Sequence, residues 1–79
     1  MSDAGSQLPD EMILSIETER EVDGRWLAEI PALPGVLVYA QTEEEAIARA
    51  KALALRVLAD RLEHGETGTD LQDISFSAA

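Results

Sequence analysis

The stretch from Asp23 to Ala46 constrains the fold of this chain more than any other part. It reads Asp23-Gly24-Arg25-Trp26-Leu27-Ala28-Glu29-Ile30-Pro31-Ala32-Leu33-Pro34-Gly35, and a short apolar run later comes Thr42-Glu43-Glu44-Glu45-Ala46. Asp-Gly supplies the positive φ angles that a tight hairpin demands, so Glu21-Val22-Asp23-Gly24 is read as a turn between two strands. Arg25 to Ile30 then alternates, with Trp26, Ala28 and Ile30 on one face and Leu27 and Glu29 on the other. Pro31 and Pro34-Gly35 stop that strand. Pro34 presets φ at one turn position, and Gly35 can take the positive φ that a type II turn needs at the next. Val36 to Ala40 resumes as a third strand, with Val36 and Val38 facing one way and Leu37 and Tyr39 the other.

Thr42 and Glu45 have the spacing of a capping box. The threonine oxygen accepts from the Glu45 amide, and the Glu45 carboxylate is expected to reach back to the Thr42 amide. Glu43, Glu44 and Glu45 also sit where the helix macrodipole favours negative charge, which accounts for three adjacent carboxylates without a metal ion. The helix is expected to run from Glu43 to His64, with Gly65 as its C′ residue. Ala46, Ile47, Ala50, Leu53, Ala54, Val57 and Leu58 form the stripe that faces the sheet. Ala48, Ala52, Leu55, Ala59 and Leu62 form a weaker second stripe, either helix-favouring alanine or a contact surface. His64 is read as a surface residue that complements the helix C-terminus.

Outside this region the alternation of Met12, Leu14 and Ile16 with Ser15 and Glu17 marks a strand from Met12 to Thr18. Residues 1–10, rich in Ser, Gly, Asp and Ala, are expected to be a loose tail preceding one domain over 11–79. Glu66 to Asp70 reads as a loop, and Leu71 to Ser77, with Ile74 and Phe76 alternating, reads as a fourth strand. The order is β-β-β-α-β, an α+β domain with one helix packed on one face of a small, mainly antiparallel sheet. Connection rules put the last strand parallel to the first, on its free side.

Seventy-nine residues hold one core. With one Trp, one Tyr and one Phe that core must be largely aliphatic. Sixteen acidic residues against six basic ones, a formal charge of −10, disfavour contact with nucleic acid phosphates or anionic membranes; by itself such a charge either only keeps the protein in solution or also attracts a basic protein. The chain has no cysteine, which removes disulfide and thiolate chemistry. No apolar segment reaches membrane-spanning length and no leader pattern opens the chain, so a cytoplasmic protein is expected.

The D-G turn, the aromatic-containing strand, Ile30-Pro31-Ala32-Leu33-Pro34-Gly35 and Thr42-Glu43-Glu44-Glu45-Ala46 occur in the order and spacing of the HicB-like antitoxin family. Over roughly residues 10–77 the chain resembles that family. The resemblance implies a partial ribonuclease-H-like domain that binds and neutralises a small basic HicA-like toxin, an RNA-cleaving protein. Many members also carry a C-terminal helix-turn-helix or ribbon-helix-helix segment that represses their own operon. Only Ser77, Ala78 and Ala79 follow Phe76 here, so a stand-alone domain without its own DNA contact is expected.

A catalytic role finds little support in the residues. Two-metal nuclease chemistry requires converging carboxylates. Glu17, Glu19, Glu45, Asp70 and Asp73 are the available acids, but alternation points Glu17 and Glu19 away from the helix, and Glu45 has a capping role. Ser15, Ser75 and Ser77 have no histidine placed to activate them. No catalytic residue, metal or cofactor is therefore assigned. The sheet face away from the helix, with Ile13, Leu27, Leu37 and Tyr39 among Ser15, Glu17 and Glu29, is either an ordinary amphipathic surface or a contact patch, and it is the expected working surface. Tyr39 is the expected anchor. Glu17, Glu29 and the Glu43–Glu45 cluster would provide charge complementarity to a basic partner. The same face would suit a homodimer or higher homo-oligomer, and the alternative reading is an orphan oligomeric module with another partner.

Overall fold

The computed structural model describes residues 11–65 and 73–78. The expectations for residues 1–10 and for the Glu66–Asp70 loop lie outside the described residues. Four strands and one helix follow in the expected order: β1 (Glu11–Arg20), β2 (Trp26–Glu29), β3 (Leu37–Ala40), α1 (Glu43–Glu63) and β4 (Asp73–Ala78). The sheet is mixed, ordered β3-β2-β1-β4, with antiparallel β3–β2 and β2–β1 pairs and a parallel β1–β4 pair.

β1 is longer than its alternating core suggested because its two halves serve different neighbours. Glu11 to Ile16 pair with β4, and Glu17 to Arg20 pair with β2. The hairpin that follows is a three-residue loop. The Glu21 amide donates to the Arg25 carbonyl at 2.8 Å, and the Gly24 amide donates to the Glu21 carbonyl at 2.9 Å. Gly24 has φ +91°, and no non-glycine residue among those described has positive φ. The Asp-Gly pair thus contributes one left-handed residue, not two; Asp23 instead accepts from the Arg25 amide through its side chain at 3.1 Å.

Between β2 and β3 two turns run in succession. The Leu33 amide donates to the Ile30 carbonyl at 2.9 Å, and the Val36 amide donates to the Leu33 carbonyl at 3.0 Å across Pro34 and Gly35. Gly35 has φ +94°, as the second central position of a type II turn requires. Three residues per turn brings Ile30, Leu33 and Val36 to the same side, and all three are buried while both prolines are exposed. The Ile30 amide closes the segment on the Val36 carbonyl at 3.1 Å. The two prolines therefore build part of the core, by aiming aliphatic side chains into it.

α1 packs over β1, β2 and β3 through Ala46, Ala50, Ala54 and Leu58, all buried, with Ile47, Leu53 and Val57 at the margin. The opposing sheet face supplies Leu14, Ile16, Ala28 and Ala40, flanked by Met12, Trp26, Val38, Ile74 and Phe76. Burying each large aliphatic side chain contributes roughly 1.5–3 kcal/mol, and the small alanines let helix and sheet approach closely. No polar or charged residue is buried among the described residues. The second helical stripe is exposed, including Leu55 and Leu62.

The helix start departs from the expected box in one detail. Thr42 Oγ1 accepts from the Glu45 amide at 3.1 Å, but the Glu45 carboxylate accepts from the Gln41 amide at 3.3 Å, not from Thr42. Its other oxygen holds Arg49 Nη2 at 2.9 Å, so the carboxylate is shared between the cap and an i,i+4 ion pair. At the far end the helix stops one residue short of expectation, with His64 as cap: its amide donates to the Asp60 carbonyl. The His64 ring lies 2.7 Å from that same carbonyl and 3.4 Å from the Asp60 carboxylate, on the surface.

Candidate partner-binding face

Period-two alternation along β1, β2 and β3 sends every odd-numbered residue away from α1. Two rows result. Tyr39 lies beside Leu27, which lies beside Glu19; Leu37 lies beside Glu29, which lies beside Glu17. Leu27, Glu29, Leu37, Tyr39 and Glu17 therefore occupy neighbouring positions on one face. Ile13 shares the face but not the cluster. It lies opposite Ser75, four residues along β1 from Glu17, or roughly 13 Å. Leu37, Tyr39 and Ile13 are exposed, and Leu27 and Glu29 are half-buried.

Glu17 and Glu29 are direct cross-strand partners with both side chains on the open face. Like charges directly opposite are destabilising in a sheet. Among the described residues no Lys, Arg or His nitrogen comes within ion-pair distance of Glu17, Glu19 or Glu29. The fold thus holds an uncompensated acidic cluster against Leu27 and Leu37.

Two residues of this face were not chosen from the sequence. Glu19 completes the cluster, and its parity with Glu17 was the available signal. Arg25 lies two residues before Leu27 on the same face; its guanidinium stands over the Tyr39 ring, 4.5 Å from the centroid, while its Nε holds the Asp23 carboxylate at 2.8 Å. An exposed contact of this kind contributes roughly 0.5–1 kcal/mol and fixes the ring in place. The Arg25 amide, above all, and then its guanidinium hold the Asp23 carboxyl below its ordinary pKa.

The Glu43–Glu45 cluster does not join this face. The Glu43 carboxylate accepts from the hydroxyl of Thr18, an even-numbered residue on the helix side, at 2.8 Å, tying β1 to the start of α1. Glu45 is held by the cap and by Arg49. Glu17 and Glu19 point away from Glu45, and the described residues contain no cluster of acids or histidines arranged to hold a metal ion; Asp70 lies outside them. Ser15, Ser75 and Ser77 fall on the open face by register, whereas His64 caps the helix. No pocket forms among the described residues, and no described helix is long and apolar enough to cross a membrane.

Comparison with protein-family models, with curated proteins and with solved structures found no match.

Proposed function

We propose that this is a HicB-like antitoxin-type protein, built on a partial ribonuclease-H-like unit, that acts in the cytoplasm by binding and not by catalysis. Its partner is a small basic protein of the HicA-like, RNA-cleaving kind, held on the open sheet face. The observation that carries this reading is the placement of Glu17 directly opposite Glu29, with no ion-pair partner among the described residues, beside Leu27 and Leu37. Such an arrangement opposes folding stability, and a basic side chain from a partner relieves the repulsion. Leu27, Leu37 and the braced Tyr39 supply the apolar centre of a contact, and the acids supply its charged rim. A flat surface of this kind suits another protein's surface better than a small molecule, which binds in a concavity.

Co-expression with any small basic protein encoded beside it is the direct test. Copurification and relief of that protein's toxicity are expected, and the charge-reversed variant E17K/E29K should lose both while keeping a wild-type circular dichroism spectrum. If the wild-type pair neither copurifies nor loses toxicity, the antitoxin reading is overturned.

A further inference from the structure

The sheet has two edges, and the fold treats them differently. Because the Ile30 amide bonds the Val36 carbonyl, the alternation of an antiparallel ladder turns the polar groups of Leu37 and Tyr39 outward from β3. Arg49 closes this edge. Its Nη1 donates to the Tyr39 carbonyl at 3.0 Å while Glu45 anchors its Nη2, so an acceptor that an incoming strand would use is already occupied. β3 is also only four residues long. Short length and a guarding charge are the ordinary protections of an edge strand.

β4 has neither. Its six residues, Asp73-Ile74-Ser75-Phe76-Ser77-Ala78, contain no proline, lysine or arginine, and no described strand pairs with its outer side. Its helix-side residues are also incompletely covered. α1 rests on β1, β2 and β3, leaving Ile74 and Phe76 half-buried, and the Lys51 ammonium lies 5.7 Å from the Phe76 ring centroid. A second copy of this chain fits that edge.

We propose that two copies associate by pairing their β4 strands antiparallel about Ser75, so that two four-stranded sheets become one of eight. In this register Ser75 meets Ser75, Ile74 of each copy meets Phe76 of the other, and Asp73 falls opposite Ser77. The strand is self-complementary there. Aliphatic–aromatic pairs form twice on the helix side, serine hydroxyls meet on the open side, and no charge opposes its own copy. A two-fold axis perpendicular to the sheet leaves both α1 helices on one side and both open faces on the other. The inference stands independently of what the open face binds.

Sedimentation of the wild-type protein over a range of concentrations should give about twice the 8.6 kDa chain mass at the upper end. Ser75→Lys places two ammonium groups opposite one another and should weaken association by at least about tenfold, with an unchanged circular dichroism spectrum. Because the chain has no cysteine, Ser75→Cys reports directly: mild oxidation should give a disulfide-linked dimer, whereas Ala48→Cys on the outer side of α1 should not. A monomer at all concentrations, an undiminished dimer in Ser75→Lys, or cross-linking through Ala48→Cys in place of Ser75→Cys would each overturn the proposal.

Discussion

Gly35 sits at φ +94° with open space where a Cβ would stand. Replacing it with alanine meets no clash, so the backbone alone resists the change. Gly35→Ala should destabilise the protein by about 1–2 kcal/mol, read as a lower urea midpoint with an unchanged slope. Thr42→Ala, which removes the cap oxygen from the Glu45 amide, should remove about 1 kcal/mol. Asp23 gives a prediction in pH. Its folded-state pKa is depressed, chiefly by the Arg25 amide, so its contribution is present above the unfolded value and lost as pH falls through the folded one. Carboxyl titration by NMR should place its midpoint below that of an ordinary aspartate, and Arg25→Ala should reduce that shift without abolishing it, because the amide remains. These positions differ in how readily sequence reveals them. Gly35 and Thr42 act on their immediate neighbours in the chain and were legible. The choice of the Gln41 amide by Glu45 was not, because it depends on where β3 ends and on Arg49 drawing the carboxylate aside.

At the level of elements, the alanines of α1 set how closely it approaches the sheet. Ala50 is fully buried, and Ala50→Leu should cost about 1–3 kcal/mol by overpacking, measured by thermal or urea unfolding. Removing the repulsion between β1 and β2 should do the reverse. Glu17→Gln should raise stability by roughly 0.2–1 kcal/mol while weakening capture of a basic partner, a combination that an ordinary solvated acid would not produce. Alternation and helical spacing located every described element, because one buried face imposes its period on the chain. They also placed Leu27, Glu29, Leu37, Tyr39 and Glu17 on one surface. Sequence could not show that Glu17 meets Glu29, since that depends on register, which a three-residue hairpin loop sets here. Nor could it show that Ile13 stands apart, since the two halves of β1 have different neighbours. Position in the chain likewise did not reveal that Thr18 would engage Glu43 on the helix side.

For the whole molecule, a charge of −10 concentrated in part on one sheet face makes encounter with a basic protein dependent on salt. Raising ionic strength from about 0.01 M to 0.15 M shortens the screening length from about 30 Å to 8 Å, and the association rate should fall accordingly in stopped-flow measurements. A rate indifferent to salt would remove charge steering from the account. The placement of β1 has a consequence of a different kind. This central strand is flanked by β2, which follows it closely in the chain, and by β4, which comes after the entire helix. Pairing β1 with β4 closes a loop that spans the whole of α1, so this contact is expected to form after the local hairpin. Until it forms, the half of β1 from Glu11 to Ile16 carries an open strand edge beside the core.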